Sequence, residues 1–358
     1  MKAALTLGLA LSAGVAGAAP LGAAPPGLEA ERMFGAPGAV VMRLRSTTDI
    51  AVLGPALEAF VAHHPDLAIA YQQWSSNGLY EVSRAECEAG GTPQADAAFS
   101  SAVDQLVELV NLGCAQPYRS EATAALPEAR RWRDEIWGLT REPAVILYNR
   151  RLVPAEDVPS DRFALLDLMA RPDGRYAGRI ATYDIEASGL GYFFAFADSL
   201  EASTFGALLE GFERSGAVAT CCSAEIIDGV ARGDYLIAYN VLGSYVAARQ
   251  AADVATVWPE DYTLFLSRAY MIPKGAAQPG AAADLLDFLL SAEGQAILAR
   301  SGLVAQDEPG EAGPHESALR PIRIGPVQLV ARDAQKVSGF IRRWRETFTR
   351  RGGPAAGP

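Results

Sequence analysis

From Ala39 onward the hydrophobic and polar positions repeat one order: a short apolar run, a loop of small hydroxyl or amide residues, then apolar residues at helical spacing. Ala39 to Arg45 predicts a strand, Ser46-Thr47-Thr48-Asp49 a loop, and Val52, Leu53, Leu57, Phe60 and Val61 one face of a helix. The order recurs from Leu67 to Gln73, through Ser75-Ser76-Asn77, into a helix near Leu79. It recurs again from Ala95 to Phe99, through Ser100-Ser101, into a helix carrying Val103, Leu106, Val107 and Val110. Three such units in succession predict an open, mostly parallel sheet.

The charged stretch Glu128 to Glu135 reads as a solvated helix or turn, and Pro143 to Asn149 as a buried strand. After Tyr176 the pattern resumes. Arg179 to Tyr183 predicts a strand, Asp184 to Gly191 a loop, and Tyr192 to Phe196 the start of an aromatic helix. Tyr235 to Tyr239 predicts a strand, Asn240 to Ser244 a loop, and Tyr245 onward a helix. A second crossing strand is expected within Tyr262 to Ile272, then a helix with Leu285, Leu286, Leu289 and Leu290 on one face.

A strand that enters a helix through a small polar loop leaves unpaired N–H groups at the positive end of the helix dipole, where an anion can sit. The candidate ligand residues are therefore Thr47, Thr48, Asp49, Ser76, Asn77, Ser100, Ser101, Asp184, Ser188, Gly189, Gly191, Asn240, Ser244 and Tyr245, with Arg268 and Arg141 as counter-charges. All five loops would lie beyond the carboxyl ends of strands, where open α/β sheets bind ligands. Each residue has a plainer role as a helix cap, core contact or surface charge. Trp74, Tyr183, Tyr239, Tyr245 and Tyr262 are aromatic candidates to close over a ligand, or to pack the core.

Composition narrows the chemistry. Lys2, the apolar run Ala3 to Ala16 and the small residues Ala16-Gly17-Ala18 form a secretory signal. Residues 1–18 are thus expected to be removed, and residues 19–38, rich in Ala, Gly and Pro, to form a flexible leader. The net charge of -11 argues against a nucleic-acid partner. Cys87, Cys114, Cys221 and Cys222 suit an oxidising compartment. A bond between the adjacent pair would close a small strained ring, the other pairings would join distant segments, and the connectivity stays open. Ser188-Gly189-Leu190-Gly191 lacks the dinucleotide fingerprint, and no phosphate-loop, serine-nucleophile or paired-cysteine zinc motif is present, so no cofactor, metal or enzymatic activity is expected. His63-His64 before Pro65 fits a helix end.

Ser46-Thr47-Thr48-Asp49, Ser100 to Asp104, Glu142-Pro143 with Tyr148-Asn149, Tyr239 to Tyr245, and Pro279 to Gln295 together resemble the type 2 periplasmic solute-binding proteins of ABC transporters, in the branch related to ferric-ion-binding proteins. The resemblance implies two open α/β lobes joined by a two-stranded hinge, with a ligand cleft between them. Lobe 1 would be residues 39–143 and 268–302, lobe 2 residues 144–267, and residues 303–358 would pack on the lobes. It also implies a periplasmic monomer that captures a small polar solute and docks on an inner-membrane permease. Ferric-binding members present adjacent tyrosines, whereas Gly243-Ser244-Tyr245 supplies one, and Thr47-Thr48-Asp49 lacks the early histidine. A phosphorylated or carboxylate anion is therefore expected ahead of ferric ion. The alternatives are presentation of the ligand to a sensor kinase, or a secreted hydrolase or transferase with Asp49 and Asp184 as the carboxylates to watch. Gln306 to Ser317 reads as a surface loop and Arg342 to Arg351 as a basic helix end.

Overall fold

The computed structural model describes residues 25–201, 204–249, 251–305 and 318–349. The expected signal segment and the loop from Gln306 to Ser317 lie outside them.

The repeated strand-loop-helix units fold as their periodicity predicts. Strands β1 (Leu28–Phe34) and β2 (Val40–Ser46), helix α1 (Ile50–His63), β3 (Leu67–Trp74), α2 (Ser76–Ala89), β4 (Ala97–Ser100), α3 (Val103–Asn111) and α4 (Glu121–Ala125) follow in order. Strands β5 (Arg131–Trp132) and β6 (Ile136–Gly138) and, much later, β13 (Ala269–Met271) complete a seven-stranded sheet in the order β1-β3-β2-β4-β13-β6-β5. Only its centre is parallel, β2 with β3 and β4; β1, β13 and β5 pair antiparallel. Helices α10 (Pro279–Leu290) and α11 (Ala292–Arg300) pack with α1 over one face, around Phe60, Trp137, Leu285 and Leu289. Local chemistry sets the helix ends. Ser75 Oγ accepts from Gly78 N–H at 3.2 Å to start α2, and Gly90, at φ 68°, ends it in the left-handed region that a side chain would disfavour.

The second lobe is built on β7 (Glu142–Asn149), β8 (Ile180–Tyr183), β9 (Val218–Thr220), β10 (Ile237–Leu242), β11 (Val254–Val257), β12 (Thr263–Leu266) and β14 (Leu319–Pro321). The order is β14-β12-β7-β10-β8-β9, with β11 also on β7. Around it stand α5 (Arg162–Met169), α6 (Gly189–Glu201), α7 (Phe205–Ser215), α8 (Ser223–Arg232), α9 (Gly243–Arg249) and α12 (Ala334–Thr349). The chain passes between the sheets at residues 139–141, from β6 to β7, and at Ser267–Arg268, from β12 to β13. Another apolar core joins the lobes: Trp74, Leu106 and Val110 from the first share it with Val145, Phe193 and Ile226 from the second.

Several expectations need correction. Part of the expected flexible leader is β1, which pairs along β3 from Leu28–Trp74 to Phe34–Ile69; the ladder bonds order a stretch whose composition alone reads as linker. Of the helix or turn expected at Glu128 to Glu135, the turn is what forms: Glu128–Arg130 is a 3-10 turn, and residues 131–138 form the hairpin β5–β6. Its turn residues Arg133 and Asp134 both hold positive φ, 58° and 51°, as a tight hairpin requires. The run Tyr262 to Ile272 is two strands in two sheets, broken at Ser267–Arg268. Residues 240–242, expected as loop, continue β10 through a bulge between Ala238 and Val241, with Asn240 at φ 62°. Asparagine tolerates that conformation better than most side chains.

Of the cysteine alternatives left open, the bond between the adjacent pair is the one formed, and the other two cysteines bond each other. Cys87 of α2 bonds Cys114 beyond α3, with Cα atoms 5.5 Å apart, and Cys221 bonds its neighbour Cys222. Closing 27 residues, the first bond stabilises the lobe by about 3–4 kcal/mol in the chain-entropy account.

Candidate functional site

The carboxyl ends of β2, β4, β8 and β10 meet where the chain crosses between the sheets, and the side chains there are buried and polar. Arg268 is the centre. It stands at the crossing, directly before β13, and is fully buried. Its Nε donates to Glu142 Oε1 at 2.9 Å and its Nη2 to Glu142 Oε2 at 3.2 Å, a two-point pairing in the fork geometry that guanidinium and carboxylate share. Glu142 opens β7 at the other crossing, so the ion pair ties the two crossings together. Thr140 Oγ1 donates to Glu142 Oε1 at 2.6 Å and accepts the Arg268 N–H at 2.8 Å, and Ser244 Oγ donates to Glu142 Oε2. Every oxygen of a buried charge is thereby met, as its removal from water requires.

The remaining guanidinium nitrogen faces both lobes. Arg268 Nη1 donates to Thr48 Oγ1 of lobe 1 at 3.0 Å and to the Tyr245 phenol of lobe 2 at 3.3 Å. Tyr245 in turn donates to the Thr47 carbonyl at 2.9 Å, across the seam. Thr47 Oγ1 accepts the Ser101 N–H at 3.0 Å and lies 3.2 Å from Ser101 Oγ. Ser46 Oγ accepts the Thr48 N–H at 3.0 Å, and the Tyr71 phenol donates to the Thr48 carbonyl. Tyr183 Oη lies 2.7 Å from Ser223 Oγ, at the start of α8, and accepts the Leu242 N–H at 3.3 Å.

The electrostatics favour neutral phenols around a fixed cation. Burial pushes the pKa values of Tyr71, Tyr183 and Tyr245 above the usual phenol value, with Arg268 pulling against it in each case. Burial works against the charge on Arg268, but Glu142 and then Tyr245 outweigh it and hold its pKa above the ordinary value. The cluster thus presents hydroxyl donors, one guanidinium and the starts of α1, α3, α8 and α9, an arrangement suited to a group rich in acceptor oxygens.

A second interlobe contact lies at the starts of α2 and α6. Ser76 Oγ accepts the Gly189 N–H at 2.9 Å, Asn77 Nδ2 donates to the Glu186 carbonyl at 2.9 Å, and Gln105 Nε2 donates to Asn77 Oδ1 at 2.8 Å. Gly189 permits this approach, since a Cβ on it would lie 2.6 Å from Gln105 Nε2.

The structure therefore divides the expected site residues. Thr47, Thr48, Ser101, Ser244, Tyr245 and Arg268 converge on one cluster, and Asp49 sits at its edge, accepting from Gln73 Nε2 at 3.2 Å. Ser76, Asn77 and Gly189 meet at the second contact. Ser100 Oγ accepts the Ala102 N–H, Asp184 Oδ1 accepts the Glu186 N–H, and Ser188 Oγ accepts the Gly191 N–H. Those three shape their own loops, the capping role that was the plainer alternative. Asn240 and Gly191 line a small cavity inside lobe 2 with Asp198 and Tyr239. Arg141 stacks on Phe265 at 4.5 Å and donates to the Ala305 carbonyl at 3.2 Å, away from the cluster. Of the aromatic candidates, Tyr239 and Tyr262 instead hold Asp198 and Arg162 in the lobe 2 interior.

Glu142, Thr140, Tyr71 and Ser223 were missed as site residues. Glu142 stands just before the strand expected at Pro143 to Asn149 and in fact begins it, and an acidic residue against that apolar run was the available signal: a carboxylate buried in a sheet demands a partner.

The sequence model for bacterial extracellular solute-binding proteins matches residues 95–322. A search of curated protein sequences gives no match. Among solved structures, the substrate binding protein of an ABC transporter from Agrobacterium tumefaciens is 33% identical, with 90% of this chain and 99% of that chain covered and a TM-score of 0.83. Two more distant structures share the fold at 18% identity: iron-bound HitA from Pseudomonas aeruginosa (86% and 99% covered, TM-score 0.64), and the periplasmic binding protein AfuA from Actinobacillus pleuropneumoniae with exogenous fructose-6-phosphate bound (88% and 100%, TM-score 0.67). With its two α/β lobes meeting at a buried polar seam, this chain belongs to the bacterial extracellular solute-binding proteins.

Proposed function

We propose that the chain captures a small polar anion, carrying a phosphate or carboxylate group, as the periplasmic solute-binding component of an ABC importer. The observation that carries this reading is the Arg268 Nη1 group, held between Thr48 of one lobe and Tyr245 of the other. An anion entering there replaces hydroxyl oxygens already accepting from the guanidinium, and closure of the lobes brings donors from both sides onto it. Glu142 fixes the orientation of Arg268 while leaving this nitrogen directed at the seam.

The same groups oppose ferric ion. A hard trivalent cation calls for ionised phenols and free carboxylates, whereas burial raises the phenol pKa values and Glu142 is neutralised by Arg268. The carboxylate beside the Ser244 and Thr140 hydroxyls is held at both oxygens by Arg268 rather than left free to take a proton, which supports binding rather than catalysis. Docking on a permease in the inner membrane follows from the same reading.

A thermal-shift and calorimetric panel of inorganic phosphate, sugar phosphates, di- and tricarboxylates, neutral sugars and ferric ion without citrate tests it. A true ligand at one hundred times its dissociation constant stabilises the folded state by about 2.7 kcal/mol. Stabilisation by a phosphate ester or carboxylate, lost in Thr48→Val, is the expected result. Binding of ferric ion alone, or of neutral solutes alone, overturns the reading.

A further inference from the structure

The C-terminal segment does more than pack on one lobe. After β14 joins the lobe 2 sheet beside β12, the chain returns to lobe 1, where the Ile324 N–H donates to the Ala129 carbonyl at 2.8 Å. The 3-10 stretch Pro326–Arg332 then lies along α3 of lobe 1. Immediately afterwards α12 returns to lobe 2: Phe340 packs on Tyr192, Phe196 and Phe205, and Trp344 and Phe348 pack on Phe212. Among the described residues the lobes are therefore linked by two further passages beyond those at 139–141 and 267–268.

The last of these passages is pinned by charge. Arg332 Nε donates to Glu108 Oε2 at 2.6 Å, its guanidinium lies 4.7 Å over the Tyr80 ring, and its Nη1 is 3.7 Å from Asp104 Oδ2. Glu108 also accepts from the Tyr80 hydroxyl at 2.9 Å. Asp104 is buried at the start of α3 with neither carboxylate oxygen hydrogen-bonded, so among the described residues Arg332 is what compensates its charge. The neighbouring Ala331 carbonyl accepts from the Tyr192 hydroxyl of lobe 2 at 2.6 Å. One residue of the segment is thus held by lobe 2 and the next by lobe 1.

We propose that Ile324–Asp333 is a strap between the lobes and that Arg332 is its clasp, whose engagement with α3 favours the closed arrangement and thereby sets solute affinity. The proposal rests on the solute-binding reading for its purpose, but not for its test. Because α12 is anchored in the lobe 2 core, parting the lobes pulls the segment away from α3. The ion pairs and the Tyr80 stacking must then be broken, and Asp104 must lose its counter-charge.

Small-angle X-ray scattering on the full, solute-free chain tests the clasp without any ligand. Arg332→Gln is expected to enlarge the radius of gyration and to speed amide exchange at the start of α3, while the α12 amides remain protected. Tyr192→Phe removes one hydroxyl bond and keeps the ring, so it serves if Arg332→Gln fails to fold; it is expected to shift the radius in the same direction by less. Unchanged dimensions and unchanged α3 exchange in both variants, or in Tyr192→Phe where it alone folds, overturn the strap. That outcome is separate from a negative anion screen, which bears only on the solute.

Discussion

Replacing Gly189 by alanine places one methyl group in the seam between α2 and α6. The new Cβ would lie 2.6 Å from Gln105 Nε2, 2.9 Å from Asn77 Oδ1 and 3.0 Å from Ser76 Oγ, all of them on lobe 1. These ends are not free to swing, because Ser76 Oγ accepts the Gly189 N–H and Asn77 donates to the Glu186 carbonyl across the seam, while Gln105 braces Asn77 from within lobe 1. Clearing space for the methyl disturbs all three. At about 1 kcal/mol for each, the closed arrangement loses roughly 2–3 kcal/mol, a shift of roughly 30- to 150-fold in the closed-to-open ratio. Within lobe 2 alone the methyl meets none of these atoms, and alanine suits the first turn of α6 at least as well as glycine. Gly189→Ala should therefore enlarge the radius of gyration in X-ray scattering and weaken solute binding by up to that factor, with lobe 2 itself unharmed in hydrogen exchange. A variant as compact as the parent, binding within about a factor of two of it, would refute this account of closure.

Two further outcomes are expected. Arg268→Gln leaves Glu142 charged and buried without its partner, and should lower unfolding stability by about 3–5 kcal/mol; Arg268→Gln with Glu142→Gln should recover part of the loss in guanidinium melts, and a single-variant loss below about 1 kcal/mol contradicts the pairing. Asp104 supplies a pH signature. Burial raises its carboxyl from 3.8 to about 6, with Arg332 pulling the other way. A raised folded-state value contributes stability that is complete below the unfolded value and lost as pH rises through about 6. The stability of the parent minus that of Asp104→Asn should thus fall by about 2 kcal/mol between pH 4 and pH 7, measured by denaturant titration across that range; a flat difference refutes the assignment.

Periodicity determined much of this protein. The strands and helices of the early units follow from alternation and helical spacing in single stretches, and the hydroxyl loops at the starts of α1, α2 and α3 follow from what helix starts require. Which of those loops share a site did not follow. Ser100 and Ser188 carry the same hydroxyl chemistry as Thr47, Thr48 and Ser101, yet the former close their own turns and the latter join the network around Arg268. The difference lies in side-chain direction across a seam that no local window contains.

Pairing over long separations was likewise a tertiary decision. Glu142 and Arg268 are 126 residues apart, and their union depends on two strands leaving their sheets at the same place. Leu28–Phe34 is strand only because β3 offers it an edge, and Asn240 stays in β10 only because a bulge takes up its positive φ. The amino-acid order specified elements, caps and the kinds of donors available. Burial then selected among them, because a charge removed from water is tolerated only where another part of the chain arrives to meet it.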